Sequence, residues 1–249
     1  MSRVSLQPAY ILHSRAYRES SQLLEILSRD HGRIGAVARG GRGPKSRWKG
    51  ILQPFRPLLL GWSARGELAT LTGADQVAAP PPLNGEASFC GLYMNELLVR
   101  LLHRGDPHPE LFERYRDTLA GLAQGGNPQP WLRLFEKHLL DATGFGLLLD
   151  HESGSRAPLD AEAWYEYQPE LGAIRVGEGA CDRPAVVRGR ALLSLNSERI
   201  EADDLVGLRG VLRRVIRHHL GDKPLASDAL YRASSAGRRT ARNSGDQHE

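Results

Sequence analysis

The segment Arg39-Gly40-Gly41-Arg42-Gly43-Pro44-Lys45-Ser46-Arg47-Trp48-Lys49 sets five cations, three glycines and one tryptophan in eleven residues, with no acid among them. Clustered guanidinium and ammonium groups suit a polyanion, because each phosphate they neutralise releases condensed counterions. A flat indole beside them suits an unstacked base, whose face an aromatic ring can cover. The same residues also fit a plainer arrangement, a solvated basic loop with Trp48 turned into the core. Gly43-Pro44-Lys45-Ser46 does not make a phosphate-binding P-loop. Such a loop needs Gly-Lys-Ser/Thr contiguous and an earlier glycine where this chain has Ala38, and Pro44 removes an N–H donor.

The wider charge distribution points the same way. The 249 residues carry 33 Lys+Arg and 29 Asp+Glu, a formal +4 that is unevenly spread. Residues 1–82 hold 12 cations against 5 acids, and the other 167 hold 21 against 24. Between positions 29 and 56 stand eight cations and one acid, Asp30. A focused field of this kind draws in polyanions and speeds their encounter. Arg209, Arg213 and Arg217, spaced by four, form a second stripe, readable as a solvated helix face or as a further DNA contact.

Catalytic signatures are missing from the sequence. His151-Glu152 lacks the context of a zinc hydrolase or deaminase, there is no Gly-x-Ser-x-Gly elbow, and no acid pair stands out. His218 and His219 are adjacent, so on a helix they point about 100° apart and chelate poorly. Cys90 and Cys181 are far apart, without a Cys-x-x-Cys partner, which argues against a disulfide framework or a four-cysteine zinc site. Cys90, beside Phe89, reads as core. Arg18-Glu19-Ser20-Ser21 reads as a structural turn. With 41 % apolar residues, no run of ~20 apolar residues and no signal-peptide layout, the expectation is a cytoplasmic protein with no membrane partner, no metal and no cofactor.

The elements that must position these residues begin with short strands. Apolar runs at 10–15, 23–27, 34–38, 58–62 and 67–72 are separated by turn chemistry such as Asp30-His31-Gly32-Arg33 and Ser63-Ala64-Arg65-Gly66. Five strands in about 80 residues suit a small closed barrel, with the OB-fold as first candidate, and the basic segment connects strands three and four. Ala78-Ala79-Pro80-Pro81-Pro82 is the hinge. Helices follow at 88–103, at 109–123 and after Asn127-Pro128, where Trp131, Phe135, His138, Leu139 and Ala142 form a stripe that Gly144 ends. The pattern weakens over 149–192, with a possible hairpin around Trp164-Tyr165-Glu166-Tyr167 and Ala173-Ile174-Arg175-Val176. It strengthens again at 205–220. The tail from 234 to 249 reads as disordered. The class is therefore α+β: residues 1–80 a five-stranded OB-fold barrel, residues 81–233 a mainly helical domain with a small irregular β insertion at 149–190.

Laid out in order, the chain resembles the bacterial recombination mediators of the RecO family from end to end. The likeness rests on Tyr17-Arg18-Glu19-Ser20-Ser21, His31-Gly32-Arg33, Ala38-Arg39-Gly40, Lys45-Ser46-Arg47 and Leu52-Gln53-Pro54-Phe55-Arg56-Pro57. It continues through Arg65-Gly66-Glu67-Leu68, Tyr93-Met94-Asn95-Glu96-Leu97-Leu98, Glu110-Leu111-Phe112, Leu132-Arg133-Leu134-Phe135-Glu136 and Gly144-Phe145-Gly146. Gly221-Asp222-Lys223-Pro224-Leu225-Ala226-Ser227 is similar to the family's closing motif, with Ala226 and Asp228 where basic residues are usual. The resemblance implies a non-enzymatic protein that binds single- and double-stranded DNA and anneals complementary strands. With RecR it would help load RecA onto DNA coated by the single-stranded DNA-binding protein SSB. It makes Arg33, Arg39, Arg42, Lys45, Arg47, Lys49 and Arg56 backbone contacts and Trp48 a stacking ring, with Arg209, Arg213 and Arg217 as an extension. Arg100, Arg104, Arg114 and Arg133 become candidates for the acidic SSB tail. Some members carry a four-cysteine zinc site after the middle helices. Here only Cys181 remains in that stretch, which implies a degenerate, metal-free loop region. Without the resemblance, an RNA-binding OB-fold module fits the barrel and the basic loop equally well.

Overall fold

In the computed structural model, residues 2–43, 45–64, 66–221 and 223–227 are described. They fall into two compact units, one holding the residues up to Phe112 with 122–124 and 223–227, the other 113–121 and 125–221. In the first, β1 (Ser2–Tyr17), β2 (Ser21–Ser28), β3 (Gly32–Ala38), β4 (Leu58–Ala64) and β5 (Ala69–Gln76) close a barrel in the order β1-β2-β3-β5-β4. All neighbours are antiparallel except β3 and β5, which pair in parallel at Ala36↔Ala69 and Val37↔Thr70. This is the OB-fold. Its first strand is far longer than the apolar run at 10–15, because it serves two partners. Its first half pairs with β4 and its second with β2, and register shifts between Val4 and Gln7 and between Ile11 and His13 bend it round the barrel.

Ile11, Leu24, Ile26, Ala36, Leu58, Leu60, Trp62 and Leu71 fill the interior. Tyr10, Leu12, Leu23 and Leu27 alternate with the inward residues yet are also buried, which explains why these strands read as continuous apolar runs. α1 (Glu86–Leu101) packs on β1. The bulge leaves Leu12 out of the ladder, and the buried Asn95 of α1 donates from Nδ2 to the Leu12 carbonyl at 2.9 Å. Phe112 meets the Tyr10 ring with centroids 5.4 Å apart. The proline hinge therefore separates the barrel from a helix that folds back onto it.

The connection between β3 and β4 is a chain of tight turns, with Ser46 N donating to Gly43 O, Lys49 N to Ser46 O and Ile51 N to Trp48 O. Trp48 and Leu52, four apart, both enter the barrel core. Trp48 is 5 % exposed, and its indole Nε1 donates to the Arg39 carbonyl at 3.1 Å. A buried indole needs such an acceptor.

The second unit contains most of α2 (Pro109–Ala123), then α3 (Gln129–Ala142), β6 (Trp164–Gln168), β7 (Gly172–Val176), β8 (Val186–Arg188), α4 (Gly189–Asn196) and α5 (Leu205–Leu220). α3 and α4 pack on α5 around Phe135, Leu139, Leu192, Leu208, Val211 and Val215. Gly144, at φ 81°, stops α3 in a Schellman motif: Phe145 N donates to Leu140 O at 2.8 Å and Gly144 N to Asp141 O at 3.2 Å. The weakly patterned stretch forms a three-stranded sheet, β7-β6-β8. The β6–β7 hairpin matches the sequence reading, whereas β8 and α4 carry too few residues to show a period. Buried tyrosines hold this sheet. Tyr165 donates to Glu152 Oε1 at 2.9 Å and accepts from Asp160 N at 3.0 Å. Tyr167 accepts from Leu148 N at 3.0 Å, and burial pushes its hydroxyl up to about 12. Cys181 is exposed, and among the described residues no three His, Cys, Asp or Glu side chains are placed to hold a metal. No described helix is long and apolar enough to cross a membrane. The 234–249 tail lies outside the described residues.

Two substitutions test this construction. Trp48→Ala is expected to cost about 3–5 kcal/mol, the usual loss for a buried aromatic, read as a lower urea midpoint at unchanged m-value. Asn95→Ala strands the buried Leu12 carbonyl and is expected to cost about 1–3 kcal/mol in the same measurement. A melt indistinguishable from wild type in either variant contradicts the packing described.

Candidate nucleic-acid interface

The turns of the 39–57 connection place Arg39, Arg42, Lys45, Arg47 and Lys49 on the exposed surface. From inside, Trp48 and Leu52 hold the loop. From outside, Arg42 N donates to the Ser20 carbonyl at 2.9 Å and ties the loop to the β1–β2 turn. The Arg47 guanidinium lies 4.1 Å from the Trp48 ring centroid, a cation–π contact that orients its charge over the loop. None of the five forms an ion pair among the described residues. Like charges on so short a loop repel one another, so their placement costs free energy that an arriving polyanion relieves. The Ser20 tether brings Arg18 to the same surface. It is exposed, in the left-handed region at φ 51°, with its guanidinium 5.2 Å from the Tyr17 ring centroid. The sequence reading treats this turn as structural, because its proximity to the loop arises only through the tether.

Three of the expected DNA contacts are structural instead. The Trp48 ring is enclosed by the barrel core and covered by Arg47, so it presents no face for a base, and the stacking expectation is corrected. Arg33, 15 % exposed at its side chain, bonds Glu25 Oε2 from Nη1 at 2.7 Å and donates from Nε to the Leu102 carbonyl at 3.0 Å. Arg104 shares the same carboxylate. These two arginines and Glu25 join the outer face of β2 and β3 to the segment after α1. Arg56 donates to Gln76 Oε1 at the end of β5, and its Nε is buried. The α5 stripe belongs to the second unit, with Arg209 and Arg217 exposed and Arg213 half-buried.

The four arginines considered for an acidic tail have different surroundings, Arg100 and Arg104 in the first unit and Arg114 and Arg133 in the second. Arg133 is 4 % exposed and paired with Glu136 at 2.9 Å on the buried side of α3, so it is corrected to a core residue. Arg100 donates to the carbonyls of Lys223 at 2.8 Å and Pro224 at 3.1 Å. Beside it, Glu96 accepts from the backbone N–H groups of Ala226 and Ser227 and from the Ser227 hydroxyl. Together these clamp the closing motif onto α1. Arg114 is about half exposed, with Glu198 3.9 Å away.

Comparisons with known proteins agree with this architecture along its length. The family model described as "Recombination protein O N terminal" matches residues 1–80, and "Recombination protein O C terminal" matches residues 82–229. The chain is similar to a protein named DNA repair protein RecO from Alkalilimnicola ehrlichii, 47 % identical over 92 % of each chain. The protein of that name from Nitrosococcus oceani is 44 % identical over 92 % of this chain and 93 % of its own. That from Methylococcus capsulatus is 43 % identical over 94 % and 96 %. With an OB-fold barrel carrying a cationic loop that forms no ion pair among the described residues, and with family matches over residues 1–80 and 82–229, the chain belongs to the RecO family of DNA repair proteins.

Proposed function

We propose that this protein is a non-enzymatic, DNA-binding recombination mediator that holds single- and double-stranded DNA on the barrel and anneals complementary strands. With RecR it helps load RecA onto SSB-coated DNA. The observation that carries the reading is the set of five exposed cations, without an ion pair among the described residues, on a loop fixed from inside by Trp48 and Leu52. Contacts to phosphate give affinity without sequence choice, which suits action at any damaged site. A cationic surface also screens the repulsion between two strands while their unstacked bases find partners. For the SSB tail, which is acidic, Arg114 is the one of the four considered arginines with a half-exposed, loosely held guanidinium. This role puts the protein in the cytoplasm, at the nucleoid.

Replacing Arg42, Lys45, Arg47 and Lys49 together with Ala is expected to weaken single-strand binding for every sequence. The slope of log K against log salt should flatten by about 0.7 per contact, about 3 in all. Annealing of SSB-coated complementary oligonucleotides without ATP should lose its acceleration in the same variant. An unchanged slope puts the DNA path elsewhere, and tighter binding to RNA than to single-stranded DNA of equal length favours an RNA module. Arg33→Ala is the matched control. It should lower stability by about 1–3 kcal/mol through the lost charged hydrogen bonds and leave the salt slope as in wild type; a flattened slope would return Arg33 to the interface.

A further inference from the structure

A concavity of about 440 Å³ opens at the root of the cationic loop, a size in the range of small-ligand pockets. Trp48 and Leu52, both nearly buried, stand at its base, and its rim carries Arg42 and Lys49. Two amides complete the wall, Gln22 from β2 and Gln53 from the far end of the loop. Gln22 is half-buried and Gln53 exposed, and neither side-chain amide has a hydrogen-bond partner among the described residues. The loop glycine beside them makes room for this arrangement. A Cβ on Gly41 would stand 3.1 Å from both Cγ and Oε1 of Gln22, closer than a side chain sits without displacing its neighbour. A second concavity of the barrel unit, about 370 Å³ beside Arg33 and Arg104, offers no comparable chemistry, because both arginines are already engaged by Glu25.

We propose that this concavity holds one unpaired nucleobase of single-stranded DNA, with Gln22 and Gln53 meeting its hydrogen-bonding edge and Arg42 and Lys49 holding the flanking phosphates. The proposal rests on the DNA reading of the loop and adds selectivity for strand state. Each glutamine amide carries two N–H donors and one carbonyl acceptor, so a pair of them can match the edge of any base by rotating, and the pocket stays indifferent to sequence. In a duplex the pairing edges are already used, so the pocket is available to single strands alone, whereas the cations grip either form. A mediator built this way holds an unpaired strand more tightly than its paired product and so tends to release DNA once it has annealed.

The test uses the full chain and three probes of equal length: a mixed-sequence single strand, the corresponding duplex, and an abasic single strand with the same phosphates. Gln22→Leu combined with Gln53→Leu removes both amides and keeps their bulk. The double variant is expected to lose about tenfold in affinity for the base-bearing single strand, the worth of two neutral hydrogen bonds, with no change for the duplex or the abasic strand. Gln53→Leu alone, at an exposed loop position, guards against a folding defect and should lose about threefold on the same probe. An equal loss on all three probes, or no loss on the base-bearing strand, overturns the pocket. Wild-type protein that binds base-bearing and abasic strands alike also refutes the pocket and leaves the phosphate contacts standing. If wild type binds none of the three, the DNA reading of the loop falls, and the pocket with it.

Discussion

Burial of Trp48 and Leu52 in the end of the barrel is the interaction on which the cationic surface depends. A loop of five like charges and several glycines has no reason of its own to hold one shape, since glycine adds backbone freedom and charge adds repulsion. Two large apolar side chains spaced by four, seated among Ile11, Leu24 and Leu60, supply what the loop lacks. Each is worth a few kcal/mol of transfer free energy, which offsets both the ordering of the turns and the crowding of charge. The indole hydrogen bond to Arg39 O and the Arg42 tether to Ser20 then fix where the cations stand. The tryptophan that sequence alone offers as a possible ligand contact serves binding indirectly, by making the loop a preorganised surface. Preorganisation matters here because ordering such a loop on binding would consume much of the electrostatic gain.

The sequence discloses the strands, the long helices and the basic loop, because each has a local signature: apolar runs bounded by turn residues, a 3.6-residue period, or a charge cluster. It conceals whatever depends on pairing over distance. Arg33 and Arg42 look alike in a list of cations, yet one faces Glu25 across the hairpin and the other faces solvent. The hairpin register would have given a hint, since Leu27 pairs with Arg33 and Glu25 lies two residues further along the same face. Arg133 shows the same ambiguity in a helix. At spacing three from Glu136 it fits a surface pair as well as a buried one, and only the packing of α3 decides for burial. The first strand was hidden differently. Residues 2–9 have little alternation, and their pairing with β4 lies some fifty residues away in sequence. β8 and α4, with three and eight residues, are too short for periodicity to speak.

The three-stranded sheet shows how a stretch rich in glycine and proline, with little periodic apolar pattern, is held together. In this chain the insertion is organised by two tyrosines from one strand, Tyr165 and Tyr167, which point their rings into the core and their hydroxyls at backbone N–H groups of neighbouring loops. Arg214 of α5 adds bonds to Glu166, to the Tyr167 carbonyl and to the Pro184 carbonyl. The guanidinium fork and the phenols thus span loops that share no sequence proximity. Arg214 is for this reason set apart from its neighbours on α5: it is committed to the sheet, while Arg209 and Arg217 face out.

The two kinds of arginine in this molecule divide its labour by partner rather than by position. Those that meet a carboxylate or a run of carbonyls across the fold, such as Arg33, Arg100, Arg104 and Arg214, join segments distant in sequence and carry structure. Those on the 39–49 loop form no ion pair among the described residues, Arg47 resting only on the Trp48 ring, and their charge is left for another molecule. A surface of the second kind is useful only if it neither collapses onto local acids nor spreads apart. The sequence prevents the first by excluding acids from eleven consecutive residues, and the barrel prevents the second by anchoring the loop at Trp48 and Leu52. The same two anchors hold the loop beside Gln22 and Gln53, so that stability of the loop and concentration of charge follow from one act of burial.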